Sequence, residues 1–174
     1  MTTQAPSAVI VMGVSGAGKS SIGERLAEKL GCDFAEGDRL HPASNVEKMA
    51  EGTPLTDEDR WPWLDLVGQE LATAVANGKS LVLSCSALKK IYRERLREAA
   101  GGGLRFVFLK GAPELLEVRM GKRTGHFMPL SLLHSQLATL ETPEGEEGVV
   151  TVDIDASLDE IVDAAYRGLQ QLGL

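Results

Sequence analysis

Gly13-Val14-Ser15-Gly16-Ala17-Gly18-Lys19-Ser20 fits the phosphate-binding pattern GxxxxGK[ST], and its flanks supply the context the pattern requires. Just before it, residues 9–14 form a β-branched apolar run without polar alternation, which suits a strand buried on both faces of a parallel sheet. Just after it, Ile22, Leu26 and Leu30 recur every four residues and Gly31 follows as a C-terminal cap, which predicts an amphipathic helix. In a strand-loop-helix unit of this kind, glycines let successive N–H groups turn inward and the helix adds its positive end, so many donors hold one polyphosphate. Lys19 is expected to reach the β and γ phosphates of ATP, and the Ser20 hydroxyl to ligate Mg²⁺. The nucleotide-contacting set runs from Gly13 through Val14, Ser15, Gly16, Ala17, Gly18, Lys19 and Ser20 to Ser21.

Outward from this unit, strands and helices alternate. Residues 33–36 are a short strand candidate, residues 80–85 and 104–109 are apolar runs, and residues 149–154 give a last strand. Between them, residues 41–60 are polar, punctuated by proline and helical in pieces. Thr56 and Asp59 have capping-box spacing ahead of a helix carrying Leu64, Val67, Leu71 and Val75. A charged helix over residues 88–100 follows, then a helix from Pro113, and a closing helix from Ser157 with Glu160 at the same capping spacing. Residues 121–129 mix Lys, Arg, Gly and His without an apolar period and are expected to form a loop. The alternation predicts an α/β fold: a parallel five-stranded sheet with helices on both faces, ligands sitting at the carboxyl ends of its strands.

Composition narrows the function. The 174 residues suit a single domain, read here as residues 1–174 with one active site. A net charge of −7 argues against nucleic-acid binding, which needs a broad basic surface, so an anionic ligand must be met by local basic groups. No apolar run approaches the roughly 20 residues of a membrane span, and residues 1–7 carry no secretory pattern, so no membrane association and a cytoplasmic location are expected. Cys32 and Cys85 lie far apart without metal-ligand spacing and read as reduced, buried thiols.

A phosphoryl-transfer site of this type usually holds Mg²⁺ with an acid at the end of a neighbouring strand. The strand over residues 80–85 leads into Ser86 and offers no acid. Asp38, just past the short second strand and Gly37, is the nearest acid that the chain brings to the same sheet edge, and it is the candidate metal partner and proton acceptor.

Gly37-Asp38-Arg39-Leu40-His41-Pro42, Asn45, Lys48-Met49 and residues 55–64 (LTDEDRWPWL) resemble the gluconokinase family. So do Cys85-Ser86-Ala87-Leu88-Lys89-Lys90 with Tyr92-Arg93, Leu109-Lys110-Gly111, residues 123–127 (RTGHF) and Val152-Asp153-Ile154-Asp155. The likeness runs over residues 9–155. It implies a P-loop NTPase of nucleoside-monophosphate-kinase-like fold, with a lid over about residues 119–134 and a substrate-side helical segment over about residues 41–65. It implies an ATP-dependent kinase that phosphorylates the terminal (C6) hydroxyl of D-gluconate, with Mg²⁺ and as a homodimer.

On that resemblance, the segment of Arg60 faces the substrate, and its planar fork suits a carboxylate. His41 and Lys48 lie in the same stretch. Lys89 and Arg93, four residues apart, would share a helical face toward the cleft. The resemblance places Arg119 beside the adenine or the phosphates, gives Arg123 the charge on the transferring phosphoryl group, and leaves His126 to hold substrate or support the lid. His134 reads as a helix-surface residue, and Trp61 and Trp63 as packing or hinge anchors. Shikimate kinase shares the Asp after the second strand, but its glycine triplet would fall where Cys85-Ser86-Ala87 stand here. A non-catalytic ATP-binding regulatory module would need the phosphate loop but not Asp38, Arg119 and Arg123.

Overall fold

The apolar run ahead of the phosphate loop is strand β1 (Ala8–Met12), buried at all five residues. It stops two residues short of the run's end because Gly13, at φ +152°, begins the turn into the loop. The computed structural model describes residues 5–121 and 130–173. Strands β2 (Asp33–Glu36), β3 (Leu81–Ser84), β4 (Arg105–Lys110) and β5 (Val149–Asp153) join β1 in one parallel sheet of order β2-β3-β1-β4-β5.

The helices are α1 (Lys19–Leu30), α2 (Ala43–Ala50), α3 (Asp57–Ala76), α4 (Lys90–Ala99), α5 (Pro113–Gly121), α6 (Leu130–Thr139) and α7 (Leu158–Gln171). The chain steps one way along the sheet from β1 to β2 and the other way in every later crossover. Right-handed crossovers therefore put α1 on one face and α3 and α4 on the other. The packing agrees: α1 contacts α7, and α3 contacts α4. Between the layers lie the fully buried Ile10, Leu83, Phe106 and Phe108 of the sheet with Leu26, Leu64 and Leu71 of the helices.

Both predicted capping boxes form: Thr56 with Asp59 opens α3, and Ser157 with Glu160 opens α7. Among the described residues no side chain caps α1, which starts from Gly18 in the left-handed region at φ +90°. That helix end thus points its first turn at the phosphate loop without a competing side-chain oxygen. Cys85 is fully buried, and desolvation pushes its thiol up to about 12, which makes it inert at neutral pH. Cys32 is only half-buried, because it sits on the turn between α1 and β2. Among the described residues, no helix is long and apolar enough to cross a membrane.

Candidate active site

At the carboxyl edge of the sheet, the loops after β1, β2 and β3 meet α2, α3 and α6 around one cavity. Lys19, Asp38, His41, Arg60, Trp63 and Gln136 line it, with Ser15, Ser86 and Ser135 beside them and Met49, Leu55 and Leu132 as its apolar wall. Met49 and Leu132 form a small core cluster of their own with Leu55, which ties α6 to the segment ahead of α3.

The Lys19 ammonium donates to the carbonyls of Gly13 and Val14 at 3.0 and 3.1 Å, so it curls back over the phosphate loop. The Ser15 N–H donates to Gln136 Oε1 at 2.7 Å. Gln136 belongs to α6, so a side chain from a distant helix already marks where an anionic oxygen can be received.

Asp38 stands in the 3-10 turn Gly37–Leu40 that ends β2. The turn lies so close to β3 that a Cβ on residue 37 would sit 2.2 Å from the Ser84 carbonyl oxygen, so glycine is required there. Trp63 Nε1 donates to the Gly37 carbonyl at 2.8 Å and fixes the turn from the α3 side. The Asp38 side chain is about half exposed and faces the cavity that Lys19 also lines.

His41 stacks on Trp63 with ring centroids 3.9 Å apart. Burial holds its pKa down to about 4, Asp38 pulling it up and Arg60 adding to the fall. It is therefore neutral at pH 7, and its 3.9 Å approach to Asp38 is not an ion pair. The Asn45 amide nitrogen, which can only donate, lies 3.2 Å from Nδ1, so the proton sits on Nε2, the atom facing Asp38. The folded state disfavours protonated His41, so its contribution to stability is complete above pH 6.5 and is lost as pH falls toward 4. The expected cost in that window is up to about 1.4 kcal/mol per pH unit. Denaturant unfolding of the wild type and His41→Gln from pH 7 to 4 checks this; equal pH slopes would contradict it.

Arg60 donates through Nη1 to the Leu55 carbonyl at 2.8 Å and to the Tyr92 hydroxyl at 2.9 Å. Tyr92 in turn donates to Asp57, whose carboxylate also accepts from Lys89 at 3.1 Å. The hydrogen bond from Tyr92, then that from Lys89, holds the Asp57 carboxyl below its usual range. Lys48 pairs with Asp59 at 2.8 Å, the acid that also completes the α3 capping box. Lys48 and Lys89 are thus each committed to an aspartate, and neither lines the cavity.

Arg93 does not face the cleft. It is fully buried, clasped by both carboxylate oxygens of Glu146 at 3.1 and 2.7 Å, and it donates to the Ala87 carbonyl at 2.8 Å. Its helical spacing from Lys89 does not put the two together, because Lys89 is the residue before α4, in extended backbone. Arg93 instead braces Ala87, a non-glycine residue at φ +47°, and with it the loop that carries Ser86. Arg119 donates to the Ile154 carbonyl at 2.7 Å, beyond the end of β5. His134 lies on the surface of α6 and meets Glu117 at 2.8 Å. Arg123 and His126 lie outside the described residues.

Asp57, Tyr92, Ser86 and Gln136 are the site residues that sequence reading missed. Asp57, Ser86 and Tyr92 stand in segments that resemble the family but receive no role there, and Gln136 is not singled out. Only the tertiary pairing of α3, α4 and α6 gives them roles.

A family model described as AAA domain matches residues 9–143. The chain is 48% identical to a gluconokinase of Gluconobacter oxydans over 95% of its own length and 92% of that protein's. It is 43% identical to the thermoresistant gluconokinase of Escherichia coli, covering 93% of each chain. Among solved structures, a gluconokinase from Sinorhizobium meliloti superposes with a TM-score of 0.88 at 55% identity, over 98% of this chain and 95% of that one. With a P-loop kinase sheet, an acid after its second strand and this likeness along nearly its whole length, the chain belongs to the gluconokinase family.

Proposed function

We propose that this chain, acting as one kinase domain in the cytoplasm, transfers the γ-phosphoryl group of ATP to the C6 hydroxyl of D-gluconate. The products are 6-phospho-D-gluconate and ADP. The observation that carries this reading is the single cavity lined by Lys19, Asp38 and Arg60, in a chain so similar to gluconokinases. Lys19 and the N–H groups of the loop and α1 receive the β and γ phosphates. Asp38 orients the acceptor hydroxyl and takes its proton late, because phosphoryl transfer depends mainly on positioning and charge neutralisation. His41, neutral with its proton on Nε2, leaves the Asp38 charge intact and can donate to a substrate hydroxyl. Arg119 holds the nucleotide, Arg123 neutralises charge on the transferring group, and Lys48, Lys89 and His126 shape the surroundings of the acid.

Ser20, in the first turn of α1, and Asp38 offer hard oxygen donors that fit Mg²⁺. Among the described residues no trio of His, Cys, Asp or Glu is placed to hold a metal ion. When bound, Mg²⁺ supplies charge neutralisation across the phosphate oxygens.

Arg60 is the partner of the substrate carboxylate. Its Nη1 is used within the protein, and among the described residues its Nε and Nη2 make no hydrogen bond, so one edge of the fork is left to the cavity. Arg60→Lys keeps the charge but cannot reproduce the fork. It is expected to weaken gluconate by roughly 1.5–3 kcal/mol, about ten- to a hundredfold, with ATP affinity little changed. Glucitol, which lacks the carboxylate, should be a poor substrate indifferent to the change. Steady-state kinetics on both acceptors checks this; equal losses on the two would remove Arg60 from the carboxylate.

A further inference from the structure

We infer that Tyr92 is a positioning residue for acid selectivity: its hydroxyl, anchored on Asp57, holds Arg60 with the Nε/Nη2 edge turned to the cavity. This rests on the reading of Arg60 as the carboxylate partner.

The direction of the bonds fixes the arrangement. A phenol has one proton, and an ionised carboxylate can only accept, so the Tyr92 hydroxyl donates to Asp57 and must accept from Arg60. Lys89 donates at 3.1 Å to the same Asp57 oxygen, Oδ1, that accepts from the Tyr92 hydroxyl, and so helps to hold the carboxylate in place. The Tyr92 ring is buried at 1% exposure, with Trp61 edge-on to it at 5.7 Å and the Arg60 guanidinium carbon 5.2 Å from its centroid. Tyr92, Asp57 and Lys89 all stand behind Arg60, and none of them lines the cavity. A long arginine at a cavity wall has many rotamers, and a bidentate contact needs one of them. Two acceptors on Nη1, the Leu55 carbonyl and the Tyr92 hydroxyl, select that rotamer before the acid arrives.

Asp57 has a second consequence. Its negative charge lies one phenol away from the guanidinium, so the chain from Asp57 through Tyr92 to Arg60 polarises the contact from outside the cavity.

The test compares Tyr92→Phe, Asp57→Asn and Arg60→Lys with gluconate and with glucitol as acceptors, ATP saturating. Tyr92→Phe keeps the buried ring and removes only the hydroxyl, so thermal unfolding should change little. The expected result is a gluconate KM raised about five- to tenfold, kcat within about twofold, and glucitol turnover unmoved. Asp57→Asn should change gluconate KM in the same direction by less. In the double variant Tyr92→Phe/Arg60→Lys, the tyrosine change should add almost nothing. A folded Tyr92→Phe with unchanged gluconate KM, beside an impaired Arg60→Lys, would overturn the inference and leave the reading of Arg60 standing. A silent Arg60→Lys would overturn that reading, and the inference with it. Equal losses for gluconate, glucitol and ATP in Tyr92→Phe would mean general loosening and would also overturn it.

Discussion

Lys19→Ala is expected to lose nearly all turnover while the protein stays folded. The half-buried ammonium donates to carbonyl oxygens of its own loop, Gly13 and Val14, and is no part of the hydrophobic core, so its removal leaves no core cavity. On the proposed reading, what it removes is the positive charge that meets the transferring phosphoryl group. Deleting one preorganised donor of that kind usually costs about a hundred- to a thousandfold in kcat, and a full charge belongs at the upper end. Single-turnover phosphoryl transfer, with circular dichroism as the control for folding, reads the result. A variant that turns over at near-normal rate would remove the phosphate loop from the chemistry.

Asp38→Asn carries the second large effect, a fall in kcat of about a hundredfold or more with ATP still bound. Asparagine fits the same turn, since Gly37 and its clasp by Trp63 set the backbone there. It can orient a hydroxyl, but it cannot take a proton. His41 does not replace it, because its pKa of about 4 makes it too weak a base at neutral pH. Calorimetric titration of ATP beside steady-state rates separates the two functions. A loss of tenfold or less would move the proton acceptor elsewhere.

Where sequence reading succeeded and where it failed follow from the range of the interactions involved. The phosphate loop, the capping boxes of α3 and α7 and the buried strands are local patterns, set by glycine conformation, side-chain oxygens three residues from their targets and unbroken apolar runs. The placement of Asp38 was also legible, because a short strand followed by glycine delivers the next residue to the sheet's carboxyl edge. Arg93 was not. Spacing alone cannot distinguish a cleft arginine from one buried against Glu146, fifty-three residues away in sequence. Tyr92 and Gln136 were missed for the opposite reason, since a tyrosine or a glutamine on a helix carries no local signal of a partner on another helix. The substrate-side stretch marked Lys48 and helical spacing marked Lys89, and only the positions of Asp59 and Asp57 show them to be paired.

Phosphoryl transfer from ATP to a sugar acid underlies every role proposed for these residues. Its most direct test is ADP release over a panel of D-gluconate, glucitol, shikimate and nucleoside monophosphates, with the phosphorylated product identified by mass spectrometry. Gluconate should give rapid release and a product phosphorylated on the terminal hydroxyl, and the other acceptors should give little turnover. Turnover of shikimate or a nucleotide above that of gluconate, or a gluconate product phosphorylated elsewhere, would contradict it.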